Sequence, residues 1–291
     1  MIRHVRKLLL QSLTKKLNQG LRLLADVSFR PGNVIAGRYR MLEKLGSGSY
    51  GVAYLCFDMQ KGRRCVMKRI SPLRGGAARA EQIYVRETGM MSRLHHQAIP
   101  ELYEMFGFRR HHCFTMEFME GSSFDRLLFQ QNRQYTERQS LLIVGRLLEI
   151  VEYMHSMGII HRDISIANVL VDEDDIKLID LGLSREWKDG EVVEGEQEDL
   201  EDEDPTEKKL RRAVHVTSDF YAVGHFLLFL LYSSYSEKKS PRSEEEPGWE
   251  QELSIDPKTI KLLRRLLMTD QPFESVQQIR QEVALILRSL T

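Results

Sequence analysis

A glycine-rich run, Gly46-Ser47-Gly48-Ser49-Tyr50-Gly51, lies between two short alternating segments, and that context limits the fold more than any other feature. Glycines let a backbone approach phosphate groups closely, because no Cβ stands in the way. Similar glycine spacing occurs in dinucleotide-binding turns, but such a turn must lead into a helix. Here the short apolar run Val52 to Phe57 comes next and reads as a strand. The run is therefore read as a hairpin between antiparallel strands, which argues against a doubly wound dinucleotide fold.

The neighbouring pattern agrees. Tyr39 to Leu45, Val52 to Phe57 and Cys65 to Ile70 read as antiparallel strands, with Gly62 in the second turn. A long helix over Ala77 to Leu94 and strands around Glu101–Phe106 and Cys113–Phe118 complete a five-stranded sheet with one helix. From Thr136 onward helical periodicity takes over, at Gln139–Ser156, Thr217–Tyr232, Lys258–Met268 and Ser275–Leu290. A small sheet followed by a mainly helical half is an α+β bilobal arrangement. The 291 residues suffice for two modest lobes, and no internal repeat is visible.

Chemistry-bearing residues fall along this frame in a definite order. Lys68 sits on the third strand between apolar neighbours; alone it could be a snorkelling strand lysine. A buried ammonium needs a carboxylate partner, and Glu87 on the following helix can supply one. The strongest motif is His161-Arg162-Asp163-Ile164-Ser165-Ile166-Ala167-Asn168, succeeded after an apolar strand by Asp180-Leu181-Gly182. An isolated Asp or Asn is usually a turn residue. Here Asp163 is placed to accept a proton from an attacking hydroxyl, while Asn168 and Asp180 are hard oxygen ligands suited to Mg2+ on phosphates.

Composition narrows the partners. Lys plus Arg and Asp plus Glu both number 42, so no basic excess points to nucleic acid. Cys56, Cys65 and Cys113 show no paired or ligand spacing, which suits a reducing compartment. The most apolar stretch, His225 to Tyr232, is far short of the roughly 20 residues that span a bilayer. The expected location is cytoplasmic.

Two segments are unusual. Residues 1–35 form a basic amphipathic helix candidate and linker, with Leu10, Leu13, Leu17, Leu21 and Leu24 on one face and Pro31-Gly32 at its end. Packing on the fold is its ordinary use; docking to an anionic membrane or a partner groove is the second. Asp189 to Glu207 is acidic apart from neutral residues, without a single base after Lys188, and reads as a mobile loop.

Taken in order, the glycine hairpin, strand Lys, helix Glu, loop Asp and Asn, and final Asp resemble the eukaryotic-like (Hanks-type) protein kinases, in a form more bacterial than eukaryotic. The resemblance covers about Tyr39 to Leu290. It implies a kinase domain over 36–291, with an N-lobe 36–118, a C-lobe 119–291 and an activation segment 180–216. It also implies an ATP cleft between the lobes. Its lining would be Leu45 through Ala53, including Val52, together with Val66, Lys68, Met116 as gatekeeper, Glu117, Met119 and Leu170. ATP and Mg2+, with Mn2+ as substitute, are the implied cofactors, and a protein is the implied substrate. Met91, Leu102, His161 and Leu181 match the family's hydrophobic column, and Asp219 matches the aspartate that anchors the catalytic loop.

Departures from the family pattern qualify the reading. Ala53 and Val66 exchange the usual sizes above adenine, which conserves volume. Ser165 replaces a lysine that contacts the transferred phosphate, so a small-molecule hydroxyl becomes an alternative acceptor. The Ala-Pro-Glu segment and its arginine partner are both missing, near Asp204-Pro205-Thr206 and Asp270–Ser275; losing both halves of a buried pair is cheap. No Ser or Thr lies between Ser184 and Thr206, so acidic-tract carboxylates meeting Arg162 or the Lys208–Arg212 cluster would replace a phosphate. A scaffold without activity is the third reading, opposed by the complete Lys68, Glu87, Asp163, Asn168 and Asp180 set.

Overall fold

A computed structural model describes residues 27–48, 51–70, 76–187, 210–211, 213–235 and 248–290. The basic helix candidate, Ser49, Tyr50, the acidic tract, Asp204-Pro205-Thr206 and the Lys208-Lys209 pair lie outside them.

The described residues up to Ser92, with Glu101–Phe118, make one compact unit. Its strands are β1 (Val34–Ile35), β2 (Tyr39–Ser47), β3 (Gly51–Asp58), β4 (Arg63–Ile70), β5 (Leu102–Phe108) and β6 (His111–Glu117). They form one antiparallel sheet in the order β1-β2-β3-β4-β6-β5. The sheet thus has six strands rather than the five expected. β1 is only two residues long, too short for alternation to show. It pairs with β2 because Ala36 and Gly37, at φ +51° and +66°, make a tight turn whose twist matches the strands.

Helix α1 (Gly76–Met91) comes after β4 and buries Ile83, Tyr84, Glu87, Met90 and Met91 at helical spacing. It stops at Met91, short of Leu94. On one face of the sheet a core gathers Phe29, Ile35, Tyr39, Met41, Tyr54, Cys56, Cys65, Met67 and Cys113. Burial pushes the Cys56 and Cys113 thiols up, the latter to about 12, so they behave as apolar packing groups.

Arg38 fixes the start of β2. Its guanidinium forks onto both carboxylate oxygens of Asp58, at 2.8 and 2.6 Å, and reaches Glu104 at 2.6 Å. The hydrogen bond from Arg38 holds the Asp58 carboxyl at about 2, and the N–H groups of Lys61 and Gln60 add to the effect. A depressed carboxylate contributes stability above its unfolded pKa and loses it as the pH falls through the folded one. Asp58 therefore stabilises the fold fully above about pH 4, and that contribution should fade towards pH 2. Denaturant unfolding of wild type and Asp58→Asn at about pH 6 and about pH 2.5, on either side of that fall, checks this. The gap between them should shrink in acid, and a constant gap would refute it.

Arg93–Pro100 together with Met119 onward form the second unit. It contains β7 (Ser122–Ser123), a π-helical turn (Arg126–Gln130), α2 (Glu137–Ser156), β8 (Ile159–Ile160), β9 (Val169–Asp172), β10 (Asp175–Leu178) and β11 (Arg185–Glu186). Helices α3 (Val216–Tyr232), α4 (Trp249–Glu252), α5 (Pro257–Leu266) and α6 (Val276–Ser289) complete it. Thr136 and Gln139 form a reciprocal capping box that starts α2, and Asp256 before Pro257 starts α5. α3 is buried around most of its circumference, with α2 and α5 packed against it. Two small sheets, β10-β9-β7 and β11-β8, carry the loops that matter chemically. Where the expected arginine is missing, Arg265 pairs with Glu282 at 2.7 Å and lies 3.7 Å above the Phe273 ring. No helix among the described residues is long and apolar enough to cross a membrane.

Candidate active site

In the first unit the pleat sorts the predicted residues by face. Side chains directly opposite one another in adjacent strands share a face. Gly46 faces Ala53, Ala53 faces Lys68, and Val66 faces Met116, so these residues line one side of the sheet. Val52 pairs with Arg69 and packs against the apolar core on the other side. Its inclusion with the nucleotide lining is therefore corrected, because a period of two cannot place Val52 and Ala53 on the same face. Leu45 is exposed near the end of β2.

Gly48 and Gly51 close the base of the glycine hairpin, where the Gly48 N–H donates to the Gly51 carbonyl at 3.0 Å. A Cβ on Gly51 would lie 2.7 Å from the Arg69 carbonyl oxygen, so the fold itself requires glycine there. At Gly46 and Gly48 a Cβ would meet nothing within 4 Å. No contact within the described residues explains those two glycines; close approach by a ligand would.

Lys68 Nζ lies 2.6 Å from Glu87 Oε1, with side-chain exposures of 13% and 1%. The strand supplies the ammonium and α1 supplies the carboxylate, so the sheet and the helix are tied at this point. At β6 the Glu117 N–H is bonded to the Glu101 carbonyl at 2.9 Å. Its N–H is therefore already paired within the unit.

In the second unit the β9–β10 hairpin sets the geometry. Val169 pairs with Leu178, and the Ile179 N–H donates to the Asn168 carbonyl at 2.9 Å, which brings Asn168 and Asp180 to one end of the hairpin. Asn168 Nδ2 donates to both the Asp163 carbonyl and Asp163 Oδ2, each at 2.9 Å. Its amide oxygen is thereby turned away from Asp163. The Gly182 N–H donates to Asp180 Oδ1 at 3.1 Å. Arg162 and Asp180 hold φ of +63° and +66°, uncommon for residues with a Cβ and concentrated at functional sites. Ser165 uses its carbonyl to accept the Asn168 and Val169 N–H groups and brings no charge. Met119 and Leu170 are both buried in this unit.

A buried anchor holds the loop. Asp219 accepts the Arg162 N–H on Oδ1 at 2.7 Å, and the His161 N–H at 2.9 Å and His155 Nε2 at 2.8 Å on Oδ2. Burial alone would raise its pKa, but the hydrogen bond from His155, with that from the His161 N–H, carries it below the usual carboxylate value. His155 is the residue that sequence reasoning missed. It closes α2, sixty-four positions from its partner, and no local pattern joins the two. Met91 and Leu102 belong to the first unit, whereas His161 and Leu181 are buried in the second. Arg162 is buried as well and donates to the Leu183 carbonyl at 3.1 Å.

Among solved structures, the kinase domain of Mycobacterium tuberculosis PknI matches with a TM-score of 0.64. That match covers 88% of this chain and 98% of that domain at 21% identity, which defines the fold as that of protein kinases. The family model described as the protein kinase domain matches residues 39–289. The probable serine/threonine-protein kinase YbdM of Bacillus subtilis (strain 168) is 30% identical over 270 residues, 93% of this chain and 97% of YbdM. Serine/threonine-protein kinase PknA of Nostoc is 29% identical over 252 residues, 80% of this chain but 44% of PknA. The chain belongs to the protein kinase family and is a serine/threonine protein kinase of the bacterial Hanks type.

Proposed function

We propose that the chain transfers the γ-phosphoryl group of Mg-ATP to serine or threonine hydroxyls of a protein substrate. The observation that carries this reading is the buried Lys68–Glu87 pair on the face shared with Gly46, Ala53, Val66 and Met116. An ammonium fixed there by a carboxylate suits the α- and β-phosphates. The strip of Ala53 and Val66 suits the adenine ring, with Met116 and Leu45 as further apolar surface of the same unit. The Glu117 carbonyl is the group for the base's polar edge. The open space at Gly46 and Gly48 suits phosphates covered by the hairpin, with Ser47, Ser49 and Tyr50 in the same run.

The donors Asn168 and Asp180 fit a hard divalent cation, Mg2+ or in its place Mn2+, because both offer oxygen at one hairpin end. The bound ion would neutralise phosphate charge. Asp163 orients the acceptor hydroxyl and takes its proton, while Asn168 fixes the Asp163 carboxylate through Oδ2. Catalysis is then largely positioning and electrostatic stabilisation.

Ser165 leaves the transferred group without a side-chain cation at that position. One preorganised donor contributes roughly 10²–10³ in kcat, so Ser165→Lys should raise kcat by about tenfold with little change in KM for ATP. A fall in kcat would show a different acceptor geometry. Transfer of label from γ-labelled ATP to a generic basic protein, against a panel of small hydroxyl compounds and with Asp163→Ala as blank, tests the whole reading. Labelling of the small compounds alone would overturn it.

A further inference from the structure

The matched family domain begins at residue 39, yet residues before it are built into the sheet. Phe29 and Ile35 are 2% and 1% exposed. Asn33 clips the segment together, its Nδ2 donating to the Val27 and Ser28 carbonyls at 2.9 and 3.2 Å. Two backbone bonds then tie it to β2, from the Gly32 N–H to the Met41 carbonyl and from the Met41 N–H to the Asn33 carbonyl, each at 2.9 Å. The result is a strap over the side of the sheet opposite Lys68.

Phe29 is the centre of that strap. Its ring stacks on Tyr54 at 5.4 Å and meets Phe108 edge-on at 5.8 Å. The Arg69 guanidinium lies 4.7 Å from the Phe29 centroid and 5.8 Å from that of Tyr54, and Arg69 is only 3% exposed. Arginine stacks well on aromatic faces, and the attraction grows when water is excluded. Arg69 is also the residue next to Lys68, so the two side chains leave β4 on opposite faces. Its carbonyl is the atom against which Gly51 packs, and the Gly51 carbonyl receives the Gly48 N–H.

We infer that Phe29 is a positioning residue for nucleotide binding: by holding Arg69 it fixes the end of β4, and with it Lys68 and the base of the glycine hairpin. The inference rests on the reading of this site as an ATP site. It makes Phe29 part of the working enzyme although it precedes the family domain. Phe29 lies on the face of the sheet away from Lys68, so its effect is confined to geometry.

The test compares Phe29→Leu, which keeps apolar bulk but removes the ring, with Phe29→Tyr, which keeps the ring. Ile35→Ala serves as a control that removes equally buried strap volume away from Arg69. Titration with Mg-ADP is done well below each melting temperature, alongside hydrogen exchange at the Gly48 amide. Phe29→Leu should weaken Mg-ADP binding by about tenfold, less than the roughly thirtyfold that one whole desolvated cation–π contact would represent. It should also speed Gly48 exchange, whereas Phe29→Tyr and Ile35→Ala stay within about twofold of wild type. Unchanged binding and exchange in Phe29→Leu, or an equal loss in Ile35→Ala, would overturn the inference. A wild-type protein that fails to bind Mg-ADP would instead refute the ATP reading, and Gly48 exchange alone would then decide whether Phe29 holds the hairpin.

Discussion

Asp163→Asn is expected to lower kcat for phosphoryl transfer by roughly 10²–10⁴, the range for loss of a positioned general base, while Mg-nucleotide affinity stays within about threefold. The amide substituted there still offers an oxygen to Asn168 Nδ2, so the hydrogen bond that orients the side chain survives. What disappears is the negative charge and the ability to take a proton. Because Asp219 anchors the loop through the backbone of His161 and Arg162, the loop conformation does not depend on the Asp163 carboxylate. Thermal unfolding should accordingly change little. Steady-state transfer to a protein substrate, set beside nucleotide titration, reads the result. A kcat close to that of wild type would remove Asp163 from its proposed role.

Lys68→Met is expected to act on both binding and stability. Glu87 is 1% exposed, and removing its ammonium partner strands a charge in the interior. Breaking a buried pair from one side costs about 3–5 kcal/mol, a large share of the stability of an ordinary domain. The double variant Lys68→Met with Glu87→Met removes both charges and should recover most of that loss. Phosphoryl transfer should stay abolished in both, because the phosphate-holding cation is gone in each. Denaturant unfolding combined with Mg-nucleotide titration separates the effects. If the double variant were no more stable than Lys68→Met, the cost would come from lost lysine packing rather than from an isolated carboxylate. If either variant kept wild-type transfer, Lys68 would have no part in holding ATP.

The elements legible in the sequence share one property: each is encoded by neighbouring residues. β3 and β4 show their alternation over eight residues each, and α2 carries its own start signal in Thr136 and Gln139. The glycine hairpin is recognisable from the strand on its C-terminal side. β1 is invisible in the sequence because two residues carry no period. Val52 joins Ala53 only through the family resemblance, although alternation alone separates them. The strap reads in the sequence as no more than the end of a basic helix and a linker. A single Phe29 before Pro31-Gly32 carries no sign of the surface it will cover.

The site divides in the same way. The residue types and their order, Lys68, Glu87, Asp163, Asn168 and Asp180, are set by the sequence, because the chemistry of phosphate and metal admits few side chains and the local patterns place each on a strand, helix or loop. The sequence also determines that Lys68 needs a carboxylate, since an isolated ammonium does not survive burial. Only the tertiary structure decided that Glu87 meets Lys68 at 2.6 Å, that His155 shares Asp219 with the loop backbone, and that Phe29 covers Arg69 on the face of the sheet opposite Lys68. These are pairings between segments far apart along the chain. Packing creates them, and no periodicity within one segment records which distant surface it will meet.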